Sequence, residues 1–229
     1  MRAIIELTGE TGAGKTTLAN ALGEELAPAS LLFIDASPDQ RLTHMLAPQP
    51  PQLTLGQLFS QRNGVTGSRE AVDWVFHDMI VPTGEENELI AVGNLPAEIS
   101  IGEREKLKYG LTRLLANYDY VVVDGFHPLL RQVLPEENLR TLMVLTPAQM
   151  NRWMPPDAEE TLRTPAVILN QYGGEPFSHS LEEAITSGQV QLIGKLPRYA
   201  SPEECIRKLS DDFRNCLLRL NIPLNFSPS

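Results

Sequence analysis

Gly9-Glu10-Thr11-Gly12-Ala13-Gly14-Lys15-Thr16 decides the reading of this 229-residue chain. The run fits G-x-x-x-x-G-K-[ST], the P-loop pattern. Ahead of it, Ala3-Ile4-Ile5-Glu6-Leu7 reads as a short buried strand; behind it, Thr17 to Leu26 reads as a helix. Strand, glycine turn and helix are the context in which the pattern acquires a physical meaning. Glycines let backbone N–H groups converge on phosphate oxygens with no Cβ in the way. The helix N-terminus adds partial positive charge at the same spot. The motif therefore predicts nucleotide phosphates on Gly12, Ala13, Gly14, Lys15, Thr16 and Thr17. Lys15 would reach the β- and γ-phosphates, and the Thr16 hydroxyl would ligate Mg²⁺.

Outward from the loop, apolar runs bounded by turns recur along the chain. Leu31–Asp35, Leu89–Gly93, Tyr120–Asp124, Leu142–Thr146, Ala166–Asn170 and Val190–Gly194 read as strands buried on both faces. Between them, apolar residues at helical spacing predict helices near Leu55–Arg62, over 69–80 (Val72, Val75, Phe76, Met79), over Ile101–Asn117 with Leu107, Leu111, Leu114 and Leu115 inward, and over Pro202–Leu220. Alternating strands and helices imply an α/β fold. The expectation is a mostly parallel sheet flanked by helices, a P-loop NTPase three-layer sandwich, in one nucleotide-binding domain over residues 1–229.

Nineteen basic and 29 acidic residues leave a net charge of −10. Such a balance suits a cytoplasmic protein and argues against DNA binding by bulk charge. No signal peptide is visible, and no apolar run approaches the ~18 residues of a membrane span. Cys205 and Cys216 lie on one helical pattern, about 16 Å apart along its axis, too far to bridge. Both read as buried thiols.

In an open α/β sheet, ligands bind beyond the carboxyl ends of the strands, so the polar residue closing each apolar run matters. Asp35, Asp124 and Asn170 stand there. Asp124 follows four apolar residues, the shape of a Walker B strand, and is expected to hold Mg²⁺ beside Thr16. Asp35, with Asp39 one short turn on, either faces the phosphates or caps the following helix. The Asn170 amide can read a base edge or form a turn before Gln171-Tyr172-Gly173-Gly174. His127 has a catalytic or phosphate-sensing reading and a packing one. Arg131, Arg140, Arg152 and Arg163 read as phosphate clamps or as scattered surface charge.

Taken together, these segments resemble the MinD/ParA family of P-loop ATPases. The matching pieces are Thr8 to Thr17, Leu32 to Pro38, Tyr118 to Asp124, Val167 to Asn170 and Ile193 to Pro197, in the family's order and spanning nearly the whole chain. The resemblance implies ATP and Mg²⁺ as cofactors, a homodimer sandwiching ATP, and Asn170 and Pro197 holding adenine. Lys15 and Asp35 are the catalytic residues it suggests, with Asp39 able to stand in for a second acid only if the loop bends differently. Two departures stand out. The family's second lysine, which crosses the dimer interface to the partner's phosphates, is replaced here by Glu10. A carboxylate at close range repels phosphate. The family's Asp-x-Asp-Pro segment reads Asp35-Ala36-Ser37-Pro38 here, so Ser37 stands where a second acid positions the attacking water. Slow hydrolysis is the expectation. The Cys-x-Cys pair of metallocentre-assembly relatives is lacking.

Three functions compete on these residues. The first is an ATP-driven dimerisation switch in partition, conjugative transfer or cargo positioning, acting through a protein partner. The second is a small-molecule kinase or ligase on the same scaffold. The third is a nucleotide-binding module without turnover. On the final helix Arg207, Lys208, Arg214 and Arg219 are offset by Glu203, Glu204, Asp211 and Asp212, so direct DNA binding is expected to be weak or lacking.

Overall fold

The structure is a computed structural model describing residues 1–60, 75–83, 87–150, 152, 166–199 and 202–219. Its strands are β1 (Ala3–Thr8), β2 (Leu31–Asp35), β3 (Val81–Pro82), β4 (Asn87–Ala91), β5 (Tyr120–Asp124), β6 (Leu139–Leu145), β7 (Ala166–Tyr172) and β8 (Gln191–Pro197). Its helices are α1 (Lys15–Leu26), α2 (Arg41–Leu46), α3 (Leu55–Ser60), α4 (Ile101–Leu115), α5 (Pro128–Val133), α6 (Pro147–Met150), α7 (His179–Thr186) and α8 (Pro202–Arg219). The strands form an eight-stranded sheet in the order β3-β4-β2-β5-β1-β6-β7-β8. The sheet is mostly parallel and flanked by helices, as the alternating pattern predicts.

The chain gathers into two compact units. The first comprises Met1–Glu6 and Leu26–Leu139. Here β2 pairs in parallel with β4 and with β5, and β3 runs antiparallel to β4. Every residue of β2 and β5 is buried, which is why both read as uninterrupted apolar runs. The spacing of Leu107, Leu111, Leu114 and Leu115 brings all four into the core on α4, beside Ile34, Val121 and Val123. A capping box starts that helix: Ser100 Oγ accepts from the Glu103 N–H, and Glu103 accepts from the Ser100 N–H at 2.9 Å. The Glu103 carboxyl is held below its ordinary range, chiefly by the Ser100 hydroxyl.

The second unit comprises Leu7–Glu25 and Arg140–Ser229. In it β6, β7 and β8 pair in parallel. Leu145, Met150, Val167, Leu169, Leu181 and Val190 form a core there. On α8, Phe213, Cys216 and Leu217 are buried, and burial pushes the Cys216 thiol up to about 11. Arg214 grips the Glu25 carboxylate of α1 through two hydrogen bonds, 2.6 and 3.1 Å.

The structure shifts several boundaries. β4 spans Asn87–Ala91 rather than Leu89–Gly93, because its register with β2 sets Asn87 opposite Leu31 and Ala91 opposite Asp35. Likewise β8 continues to Pro197, past an exposed Lys195, because β7 offers it partners as far as Tyr172. The short elements β3, α2, α5, α6 and α7 have too few residues for a periodicity to show; of these, α7 carries a side-chain cap, Ser178 accepting from the Leu181 N–H. Residues 61–62 and 69–74, Arg163 and Leu220 lie outside the described residues, as do the side chains of Cys205, Ile206 and Arg207.

Candidate nucleotide-binding site

The P-loop lies between β1 and α1, within the second unit. α1 begins at Lys15, and its first internal bond runs from the Leu18 N–H to the Gly14 carbonyl, 3.0 Å. Lys15 folds back over the loop, and its Nζ donates to the carbonyls of Gly9 and Glu10, both at 2.9 Å. The Ala13 N–H closes the turn onto the Glu10 carbonyl at 3.2 Å. A lysine ammonium bent over a glycine turn at a helix N-terminus is a cradle for anionic phosphate oxygens.

Asn170, at the carboxyl end of β7, braces this cradle. Its Nδ2 donates to the Ala13 carbonyl at 2.8 Å, and its Oδ1 accepts from the Gln171 N–H at 3.0 Å. Gly14 makes the approach feasible. It sits at φ +93°, and a Cβ there would collide with the Asn170 amide nitrogen. An amide has two N–H groups and two lone pairs, and these two bonds use one of each. Pro197 closes β8 opposite Tyr172, two residues beyond Asn170 on β7.

On the loop's rim, Glu10 turns its carboxylate to Arg152 Nη2 at 3.5 Å. The charge expected to repel phosphate is thus partnered by one of the four arginines that the sequence offers as clamps.

The acids at the ends of β2 and β5 belong to the first unit. Asp35 and Asp124 are fully buried register partners, and the Asp124 carbonyl accepts the Ala36 N–H at 2.9 Å. Asp35 Oδ1 accepts from the N–H of Ser37 at 3.1 Å and from its hydroxyl at 2.5 Å. Its Oδ2 accepts from the Thr43 N–H and hydroxyl, both at 2.7 Å. Ser37 Oγ in turn accepts from the Arg41 N–H at 3.3 Å. The residue at the N-cap of α2, Gln40, is left-handed and gives no side-chain cap. Asp35 and Ser37 instead satisfy the first-turn N–H groups of α2 from upstream. Ser37 Oγ thus acts as a donor to Asp35, a role that an acid at this position could not fill. Thr43, the fourth member of this network, gives no signal in the sequence.

Asp39 is half exposed and pairs with Arg41 Nε at 2.6 Å; it does not cap α2. His127 Nε2 donates to the Leu95 carbonyl at 2.9 Å, the geometry of a packing residue. Arg131 contacts the buried Glu6 carboxylate of β1 rather than standing open as a phosphate clamp.

No family model and no curated protein matches the sequence. Solved structures do match the fold. The cell division ATPase MinD of Pyrococcus furiosus is 18% identical, with a TM-score of 0.62, over 96% of this chain and 98% of that one. A ParA family ATPase from Chlorobium tepidum is 15% identical, with a TM-score of 0.57, over 95% and 91%. Cobyrinic acid a,c-diamide synthase from Mycobacterium smegmatis, solved with an ATP analogue and magnesium, is 16% identical, with a TM-score of 0.64, over 99% and 100%. An eight-stranded, mostly parallel sheet with a glycine loop leading into a helix defines the P-loop NTPase α/β sandwich. Within that class, the chain has the fold of the MinD/ParA-like P-loop ATPases.

Proposed function

We propose that this chain is a cytoplasmic, single-domain ATP-binding and hydrolysing switch of the MinD/ParA kind. It dimerises with ATP and acts on a cargo or large assembly through a protein partner. The observation that carries the reading is the cradle itself: Lys15 bent over the Gly9 and Glu10 carbonyls, with Asn170 bracing Ala13 from below. Phosphates fall to the backbone of Gly12 through Thr17 and to Lys15. The Thr16 hydroxyl is assigned to Mg²⁺; Asp124 is assigned to the same ion on the resemblance alone. The remaining N–H and lone pair of Asn170, with Pro197, are assigned to adenine. Of the acids, Asp39 keeps a half-exposed carboxylate and is assigned to the attacking water. Asp35 acts through the loop it holds. Sizing the protein with ADP and with a non-hydrolysable ATP analogue tests the switch: a dimer with the analogue only is expected, and a monomer with both discards it.

Asp124→Asn should lower Mg²⁺-dependent phosphate release at least about tenfold, while nucleotide affinity measured without metal changes little. An equal fall in both would make Asp124 a structural residue.

The final helix bears on DNA. Lys208 pairs with Glu204 at 2.7 Å, Arg214 with Glu25, and Arg219 donates to the Ile193 carbonyl at 3.1 Å. These cations are engaged within the chain, and few phosphates would be neutralised. Anisotropy titration should show, at most, weak binding to random-sequence DNA at physiological salt, with or without ATP. Micromolar ATP-dependent binding with a steep salt slope would move DNA partition to the front.

The likeness to cobyrinic acid a,c-diamide synthase favours a ligase as the second reading. Phosphate release that depends on an added carboxylic acid and an amine donor would support it over the switch.

A further inference from the structure

We propose that Arg152, set at the rim of the P-loop by the segment after β6 and resting there on Glu10, is a phosphate ligand of the bound nucleotide beside Lys15. The inference rests on the nucleotide-binding reading above and adds a side chain to it.

Glu10 is the starting point. Its carbonyl is turned inward onto Lys15 Nζ, while its carboxylate is turned outward to the Arg152 guanidinium. Arg152 comes two residues after α6, whose start is tied to the end of β6. Gln149, buried in the second unit, accepts the Thr146 N–H on its Oε1 at 2.9 Å and returns its own N–H to the Thr146 carbonyl at 2.9 Å. The Gln149 carbonyl then accepts the Arg152 N–H at 3.0 Å. Further back along the same strand, Val144 lies so close to Gly9 that a Cβ on Gly9 would collide with its carbonyl oxygen. The end of β6 and its turn thus run along the P-loop, meeting it at its first residue through Val144 and at its second through Arg152.

The pair itself is weakly held. Its side chains are 70% and 59% exposed, at 3.5 Å, and an exposed ion pair of that kind contributes little. A triphosphate offers more charge than one carboxylate and accepts the planar guanidinium fork in bidentate fashion. Glu10 therefore serves only as a resting partner for an Arg152 that the Gln149 bonds already set at the rim, and phosphate displaces it.

Calorimetry with a non-hydrolysable ATP analogue tests this in four proteins: the wild type, Arg152→Ala, Glu10→Ala and the double variant. Arg152→Ala should bind the analogue about tenfold more weakly, with its melting temperature in the absence of nucleotide unchanged. The same loss should appear when Arg152→Ala is made on the Glu10→Ala background, because the lost contact is to phosphate. Unchanged affinity in Arg152→Ala overturns the proposal. So does a loss that vanishes once Glu10 is alanine, since Arg152 would then only neutralise Glu10. A wild-type protein that does not bind the analogue overturns the nucleotide-binding reading itself, a distinct result from either.

Discussion

Lys15→Ala is expected to cost the protein its triphosphate binding while leaving its fold intact. The ammonium group does two things that alanine cannot. It places a full positive charge over the turn, and it ties the carbonyls of Gly9 and Glu10 together at 2.9 Å each. Without it, those two carbonyls would face the phosphates with their partial negative charges unopposed. Charge-assisted hydrogen bonds are each worth about 1.5–3 kcal/mol, so affinity should fall from about tenfold to more than a hundredfold. The backbone of the loop keeps its brace, because the Asn170 bond to Ala13 does not involve Lys15. Lys15→Ala should therefore melt within a few degrees of the wild type without nucleotide and lose the upward shift that ATP gives. Calorimetry showing wild-type ATP affinity in Lys15→Ala would remove the P-loop from the site.

The second large effect is on stability. Asp35→Ala should destabilise the protein by about 3–5 kcal/mol, near the upper end for single substitutions. Four donors converge on that one buried carboxylate: the N–H and hydroxyl of Ser37 and the N–H and hydroxyl of Thr43. Alanine strands the two N–H groups away from water. It also releases the first turn of α2, whose own N-cap position contributes no side-chain bond. Asp35→Asn should be nearly as harmful, since its NH₂ group would point at one of the two donor pairs. Thr43→Ala, which leaves Oδ2 with the backbone N–H, should cost only about 1–2 kcal/mol. Denaturant titration of the three variants reads this order directly. An Asp35→Ala protein of wild-type stability but without ATPase activity would instead return Asp35 to the catalytic role that the family resemblance suggests.

Features that depend on neighbours along the chain are legible in the sequence. Gly9–Thr16 announces a strand, a glycine turn and a helix because turn geometry and helix start are set within eight residues. The runs Leu31–Asp35 and Tyr120–Asp124 are found with their ends in place, because a strand buried on both faces stays apolar up to its carboxyl end, where the fold gives the still-buried Asp35 and Asp124 polar partners. Their order along the chain is enough to suggest the MinD/ParA-like fold that the solved structures match. Short helices such as α2 and α5 are not legible, because six residues make less than two turns and carry no measurable period.

The glycine turn between strand and helix, the parallel α/β layers and the identity of the acids and amides that close the strands could all be read along the chain. The sequence left open what those closing residues do, because a polar side chain takes its role from whatever the fold sets opposite it. The folded chain alone reveals that Asp35 caps α2 in place of Gln40, that Asn170 reaches back 157 residues to brace Ala13, and that Glu10 meets Arg152 across 142 residues. Each of these is a hydrogen bond or ion pair between groups that approach within 2.7–3.5 Å only after the strands have paired and buried their apolar faces. No spacing along the chain encodes the two long-range meetings, Asn170 with Ala13 and Glu10 with Arg152. Sheet pairing, driven by the burial of Leu, Ile and Val, brings the groups together, and their own chemistry then fixes which bonds form.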